Sequence, residues 1–477
     1  MSQSEPLPAH VQLAVIGAGP GGYAAAFLAA DLGMDVVLVD PEEDPGGVCL
    51  YRGCIPSKAL LHLAKVIDEA RRAEEWGVTF GEPRIDLDRV RAWKEDVVRK
   101  LTSGLGQLTL RRGIRHVRGL ARFDGATRLS IRREDGADHG LSFDHAILAT
   151  GSRPVTLPGF PSDSDRILDS TSALELSDLP KRLLVVGGGY IGLELGSACA
   201  ALGSRVTVVE MLPGLLPGVD GDLVRPLAKR LGDEFEEILT GTKVAEAREQ
   251  KNGVLVTLDG EGVEKPTRLF DRVLVAVGRR PVSDGLGLEN TKVEIDSNGF
   301  VCTDRQMRTA EPTIFAIGDL VGQPMLAHKA SHEGRVAVEA VAGHKAEFDP
   351  AAIPAVVFTD PEVGWCGLTE TEAKRQGREV SVARFPWAAS GRARTLGRDD
   401  GLTKLVIDPA TERVLGMGIV GPGAGELIAE GVLAVEMAAL ASDLKMTIHP
   451  HPTLSETVME SAEVFFGQST HVYRPKR

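Results

Sequence analysis

Short apolar runs bounded by glycine organise the first half of the chain. Leu13-Ala14-Val15-Ile16 leads into Gly17-Ala18-Gly19-Pro20-Gly21-Gly22 and an apolar-rich stretch from Tyr23 to Leu32. Val36-Val37-Leu38-Val39 follows and ends at Asp40. The plan returns downstream: Leu183-Leu184-Val185-Val186, then Gly187-Gly188-Gly189-Tyr190-Ile191-Gly192, an apolar stretch to Leu202, and Val206-Thr207-Val208-Val209 ending at Glu210. Runs of four apolar residues without alternation predict strands covered on both faces, and the stretches between them predict helices.

Asp68 to Leu110 predicts helices, with Val90 to Leu101 amphipathic, and short strands follow up to Leu148-Ala149-Thr150-Gly151. Arg153 to Pro180 reads as a linker. Val273 to Arg279 closes the second unit, and Thr313-Ile314-Phe315-Ala316-Ile317-Gly318-Asp319 predicts another buried strand running into a glycine and an acid. From about Phe348 the texture changes to alternating strands (Lys404 to Ile407, Leu415 to Val420) and two helices. The expected fold is α/β, with two Rossmann-like dinucleotide-binding domains and a C-terminal α+β dimerisation domain. The expected divisions are 1–150, 151–280, 281–347 (completing the first site) and 348–477.

A single G-x-G-x-x-G says little. Here each copy lies between a strand and a helix, and the acid follows the first glycine by 23 residues in both, Gly17 to Asp40 and Gly187 to Glu210. Glycines at 17, 19 and 22, and at 187, 189 and 192, let a pyrophosphate approach the backbone at a helix N-terminus. The acid is placed for the ribose hydroxyls. Two dinucleotides are therefore expected on one chain.

Cys49 and Cys54 supply the chemistry, in Gly46-Gly47-Val48-Cys49-Leu50-Tyr51-Arg52-Gly53-Cys54-Ile55-Pro56-Ser57-Lys58. On an ideal helix residues five apart have Cα atoms roughly 8.6 Å apart, whereas a disulfide tolerates about 7 Å. Pairing requires a distorted helix, which Gly53 and Pro56 permit. A strained, accessible disulfide is exchangeable, so the pair points to redox chemistry rather than stapling. A flavin handles both dithiols and nicotinamides, which puts FAD in the first unit, near Lys58 and the cysteines, and NAD in the second. After Glu210 comes Met211-Leu212-Pro213-Gly214, with no cation for a 2′-phosphate, favouring NAD over NADP.

Composition narrows the field. A chain of 477 residues needs two to four domains. Its net charge of −13 argues against nucleic acid and anionic membrane as partners. Leu183 to Gly203 is broken by Glu194 and glycines, so it does not read as a membrane span. Met1 to His10 has no apolar signal core. Cys199, Cys302 and Cys366 are expected to be buried small hydrophobes. No metal site is expected, and a reducing cytoplasm is the expected location.

Taken together, these residues closely resemble the FAD-dependent pyridine nucleotide-disulfide oxidoreductases, and within them the members that oxidise dihydrolipoamide. The most specific stretches are Gly46 through Leu61, Ala316 to Asp319, Pro324-Met325-Leu326-Ala327-His328-Lys329 and His449-Pro450-His451-Pro452-Thr453-Leu454-Ser455-Glu456. The resemblance implies a homodimer with its active site shared between subunits. It implies that Asp319 binds the ribityl chain, that Ala327 meets the flavin ring, and that Ala121 touches the adenosine half. It further implies that Val244 and Ala276 to Arg279, including Gly278, line the NAD site. Because the first strand begins near residue 11, no fused lipoyl domain is expected. Two positions depart from the family pattern: Pro450 is expected to stiffen its loop, and Tyr51 to alter substrate access.

The reaction implied is oxidation of a protein-bound dihydrolipoyl dithiol by NAD⁺. Cys49 is the expected interchange thiol and Cys54 the thiolate facing the flavin, both with pKa values lowered by the helix N-terminus. His451, stiffened by flanking prolines, is the expected base, with Glu456 orienting it and His449 in support. Lys58 lies one turn beyond Cys54, and the resemblance pairs it with Glu194. The expected partners are the lipoylated acyltransferase of 2-oxoacid dehydrogenase complexes or the lipoylated glycine-cleavage carrier protein. The competing readings are a glutathione- or mercuric-type reductase, and a non-catalytic flavoprotein sensor or scaffold. The tail from His471 to Arg477 lacks the cysteine pair of the mercuric type.

Overall fold

The computed structural model describes residues 8–133, 136–161 and 164–473. Most of the polar N-terminal stretch and the last four residues of the tail lie outside the described residues.

The first unit consists of β1 (His10–Ile16), α1 (Pro20–Asp31), β2 (Val36–Asp40), α2 (Gly47–Arg52), α3 (Cys54–Arg72), α4 (Leu87–Arg111), β3 (Arg115–Gly125), β4 (Arg128–Arg133) and β5 (Asp138–Leu148). Strands β5, β1, β2 and β3 run parallel in that order, with β1 in the centre. β4 bridges β3 and β5 antiparallel. The apolar run in β1 has the expected cause. Ala14 and Ile16 face one core layer with Phe123, Leu129 and Phe143, whereas Leu13 and Val15 face another with Ala25, Ala26 and Ala29 of α1.

The segment read as a linker is more ordered than expected. It holds β6 (Ser152–Pro154), β7 (Ile167–Leu168) and α5 (Ser170–Glu175), whose first turn is capped by Asp169 accepting from the amides of Thr171 and Ser172. Short strands and a single capped turn carry too little periodicity to register in a sequence.

The second unit continues with β8 (Arg182–Val186), α6 (Tyr190–Leu202), β9 (Arg205–Val209), α7 (Gly221–Glu234), β10 (Glu237–Leu239), β11 (Thr242–Gln250), β12 (Gly253–Gly260), β13 (Thr267–Phe270) and β14 (Arg272–Val275). Its parallel sheet has the order β10-β9-β8-β14-β7, and β11-β12-β13 form an antiparallel meander. Leu183 and Val185 of β8 face one layer, Leu184 and Val186 another, as in β1.

The chain then returns. β15 (Arg279–Pro281) pairs with β6, and β16 (Ile314–Ala316) joins the first sheet beside β5, parallel to it. α8 (Ala327–Val341) packs on α1, where the Ser331 hydroxyl donates to the Pro20 carbonyl. In the C-terminal region β17 (Ala355–Val357), β18 (Val363–Gly367), β19 (Ser381–Pro386), β20 (Leu402–Ile407) and β21 (Val414–Val420) form an antiparallel sheet of order β17-β18-β21-β20-β19. It carries five helices among the described residues rather than two: α9 (Glu370–Gln376), α10 (Gly391–Thr395), α11 (Ala424–Glu436), α12 (Ala441–Met446) and α13 (Glu456–Phe465).

A buried ionic knot joins this region to the second unit. The Lys404 side chain is 2% exposed, and its ammonium lies 2.7 Å from Asp220 and 2.6 Å from Asp222. One of the three solitary cysteines departs from expectation: Cys366 is buried and Cys199 half-buried, but Cys302 is exposed.

Candidate active site

The glycine turns are built alike. Gly17 and Gly187 have φ of +98° and +112°, and a Cβ there would stand 2.3 Å and 2.5 Å from the carbonyl oxygens of Ala149 and Ala276. Equal spacing of the acids produces equal contacts. The Asp40 carboxylate accepts from the Ala18 amide and that of Glu210 from the Gly188 amide, both at 2.7 Å. Each acid thus braces its own turn from the end of the second strand. Gly19 and Gly189 leave open the space a Cβ would occupy, with nothing closer than 4.0 Å to it. Gly22 and Gly192 serve packing instead: a Cβ would fall 1.8 Å and 2.2 Å from the oxygens of Gly17 and Gly187.

A cavity of about 650 Å³ opens over the first turn, within the size range of cofactor sites. Asp40, Gly17, Gly19, Ala121, Asp319 and Ala327 line it, together with Cys49, Cys54 and Lys58. The cysteine segment is held there by backbone. The Gly46 amide donates to the Ala18 carbonyl, and a Cβ on Gly47, at φ +57°, would come within 2.5 Å of the Gly19 Cα. Only glycine lets the two turns touch.

The helix breaks where the spacing requires it. Cys49 lies in α2, Gly53 takes φ −147° and ψ −114°, and Cys54 begins α3. Both cysteines are free thiols here and share a hydrogen bond. That bond lowers the Cys54 pKa to about 7, with the Lys58 ammonium adding to the effect, against burial and Glu194. The same bond, with burial, pushes Cys49 far up. The expectation that both thiols are acidified is therefore corrected. One proton shared by two sulfurs favours a thiolate on one and protonation of the other.

The Lys58 ammonium lies 2.7 Å from Oε2 of Glu194, which is 3% exposed. The second carboxylate oxygen, Oε1, accepts from the Phe358 amide at 2.9 Å. Asp319 is set by α8: the Gly318 amide donates to the buried Glu333, itself paired with Lys329 at 2.8 Å. Arg279 reaches the first cavity, donating to Ser152, whose hydroxyl donates to Asp319. It therefore lies at the junction of the two units. Gly278, at φ +128°, has open space on its Cα, and Val244 packs partly buried beside Val209 and Val254. Met211, next to Glu210, is exposed and brings no cation.

His451 is elsewhere. Its Nδ1 lies 2.8 Å from Oε1 of Glu456, and the Thr453 amide donates to Oε2 at 2.8 Å. Burial alone would raise the Glu456 carboxyl, yet the Thr453 amide and the His451 ring bring it below the ordinary range. His449 anchors the loop, with Nε2 2.9 Å from Glu430. His451 does not line the cavity of its own chain. The Tyr51 hydroxyl donates to the Asp44 carbonyl at 2.9 Å, which fastens the segment before α2.

Three cavity or pair residues escaped the sequence. Ser152 and Phe358 carry no motif and lie far from their partners in the chain. Tyr190 stands inside the second glycine motif, so its position was legible although its place on the first cavity was not. Burial pushes its phenol up to about 12.

Two dinucleotide turns, a thiol pair in the first cavity and an ion pair beside it define a flavin- and nicotinamide-dependent thiol oxidoreductase. The chain belongs to the pyridine nucleotide-disulphide oxidoreductase family, which matches residues 11–334, and carries that family's dimerisation domain at residues 353–462. It is 49% identical over 465 residues to the dihydrolipoyl dehydrogenase of Vibrio cholerae, covering 98% of each chain. The dihydrolipoyl dehydrogenase of Haemophilus influenzae is 50% identical, with 98% of this chain and 97% of that protein covered. Among solved structures, LpdA from Mycobacterium tuberculosis superposes with a TM-score of 0.88 at 28% identity, covering 95% of this chain and 99% of the other. The flavoprotein disulfide reductase RclA from Escherichia coli, as its Cu(II) complex, gives a TM-score of 0.84 at 28% identity, with 95% and 99% covered. FAD and NAD(H) are the cofactors of this family, and the open turns at Gly19 and Gly189 fit them. Among the described residues no helix is long and apolar enough to cross a membrane.

Proposed function

We infer that this chain oxidises protein-bound dihydrolipoyl groups with NAD⁺, as a dihydrolipoyl dehydrogenase. The observation that carries the reading is the thiol pair, split by Gly53, opening into the same cavity as the Gly17 turn, Asp40 and Asp319. FAD occupies that cavity and NAD the Gly187 turn; bound there, they supply the two-electron chemistry that links a dithiol to a nicotinamide.

In the oxidised enzyme Cys49 and Cys54 form a disulfide. His451 takes the proton of one substrate thiol, and the resulting thiolate attacks the Cys49 sulfur. The Cys49–Cys54 bond breaks and Cys54 leaves as a thiolate, the form its low pKa favours. The second substrate thiol then attacks the mixed disulfide, closing the lipoyl ring and leaving Cys49 as a thiol. Lys58, held by Glu194, supplies positive charge beside the Cys54 thiolate. Glu456 fixes the His451 ring so that Nε2 faces the substrate.

His451 lies outside its own chain's cavity, so the site is completed by the partner subunit of a homodimer. The divisions at residues 150, 280 and 347 separate FAD, NAD, central and interface domains. The dithiol is carried by a lipoylated acyltransferase or glycine-cleavage carrier in the cytoplasm, where a cysteine pair is more often catalytic than structural.

Replacing Cys54 by serine tests the reading. Cys54→Ser should keep FAD bound, by its visible absorbance, while abolishing oxidation of free dihydrolipoamide; retained turnover would overturn the assignment.

A further inference from the structure

The Lys58–Glu194 pair joins the first unit to the second, yet its geometry depends on a residue from the C-terminal region. Phe358 follows β17. Its amide donates to Oε1 of Glu194 at 2.9 Å, and the Lys58 ammonium lies 4.6 Å from the centroid of its ring. One residue thus holds the free oxygen of the carboxylate and the face of the cation. Its own seat is firm: Val357 is buried in the core shared with Val185 and Leu193, and the ring edge approaches Gly425 at the start of α11. Lys58 and Phe358 also both line a second cavity, of about 580 Å³, between α3, α6 and the C-terminal region. Lys58 thus stands between the cavity of the thiol pair and this second one, with Glu194 and Phe358 as the partners of its ammonium.

We propose that Phe358 is a positioning residue for catalysis, its amide and ring together fixing the Lys58 ammonium beside Cys54. The contact is physically suited to this. An ammonium over an aromatic face is attracted by the ring quadrupole, and the attraction strengthens where water is excluded. A hydrogen bond to Oε1 fixes the rotation of the carboxylate, so Oε2 meets the ammonium in one geometry. Lys58 favours ionisation of the Cys54 thiol and Glu194 opposes it. Their relative placement sets how much thiolate is present at a given pH. The charged and titratable groups around Cys54 are Cys49 from α2, Tyr23 from α1, Lys58 from α3, and Glu194 and Tyr190 from α6. Phe358 acts on two of them and touches no reacting atom. The C-terminal region, which also carries His451, thereby reaches the thiolate side of the site within a single chain.

The proposal rests on Cys54 being the flavin-facing thiolate, but its test reads Cys54 directly. The pH dependence of the Cys54 thiolate is read in reduced holoenzyme from its charge-transfer absorbance against the bound FAD. Phe358→Leu should move the midpoint upward by roughly 0.5 to 1 pH unit, and Phe358→Trp, which restores an aromatic face, should move it back. Fluorinated phenylalanines at position 358 keep the shape while draining the ring's negative face, so folding is preserved. The midpoint should climb with each added fluorine. A midpoint that stays with the wild type across the fluorinated series overturns the proposal. Loss of dihydrolipoamide turnover is not needed for either result, so failure of the functional reading and failure of this one are separable.

Discussion

His451 holds Glu456 through Nδ1 at 2.8 Å, yet its side chain is 76% exposed and outside the cavity that contains Cys49 and Cys54. A general base contributes typically about 10²- to 10⁴-fold. His451→Gln should lower dihydrolipoamide oxidation by that order while leaving reduction of the bound flavin by NADH intact in stopped-flow traces. Equal loss of both half-reactions would remove His451 from the role of base.

Subunit mixing tests where that base acts. Cys54→Ser and His451→Gln homodimers should each be inactive. In a dimer of two-fold symmetry the hybrid rebuilds one intact site, so an equal mixture should recover about a quarter of wild-type activity. Recovery of nothing from a mixture shown to exchange subunits would place His451 and the cysteines in one chain.

The Cys54 thiolate, with its pKa lowered to about 7, should appear through neutral pH in the reduced enzyme as charge-transfer absorbance against the flavin, whereas Cys49 stays protonated to higher pH. The sign for stability follows from the folded value lying below the ordinary 9.0. Ionisation of Cys54 favours the fold increasingly up to about pH 9, beyond which the raised Cys49 opposes it, and the Cys54 contribution is lost as pH falls through about 7. A titration of the charge-transfer absorbance across pH 5 to 10 checks the Cys54 value.

Lys404→Met would leave Asp220 and Asp222 without their shared cation. Breaking a buried pair from one side costs about 3–5 kcal/mol, to be read as a lower denaturant midpoint. Hydrogen bonds from Lys404 and Thr371 outweigh burial and bring Asp220 to about 2, from 3.8. Its contribution is complete above about pH 4 and lost as pH falls through about 2. The wild type should therefore resist acid better than the variant above that range, and match it below.

Met211→Arg should let the second turn accept a 2′-phosphate. A gain of about tenfold in kcat/KM for NADP⁺, with NAD⁺ little changed, is expected from one added cation. No gain would mean that the Glu210 carboxylate, bound to its own turn, excludes the phosphate by itself.

Legibility followed sequence distance. The glycine turns, the acids that brace them and the break at Gly53 were readable because each rests on a backbone constraint within some two dozen residues. A positive φ, a missing Cβ and a strand end are local facts. The Lys58–Glu194 pair and the His451 base were named only through resemblance, since no spacing places residues hundreds of positions apart. The bond from Tyr51 to the Asp44 carbonyl, seven residues back, was equally invisible in the sequence, since a tyrosine's partner depends on how its loop folds. Cys302 departs from expectation, since a cysteine in an apolar stretch need not point inward.

Two dinucleotide-binding units with a thiol pair set against the first were written in short-range pattern, because glycine, β-branched and acidic residues at fixed short spacing leave the backbone few alternatives. The hydrogen bonds of Glu194 to Phe358 and of Glu456 to His451, and the distance of His451 from its own chain's thiols, came only with the folded chain. Those are outcomes of charge, burial and distance between elements that meet in space, and electrostatics acts across the gap between groups rather than along the chain.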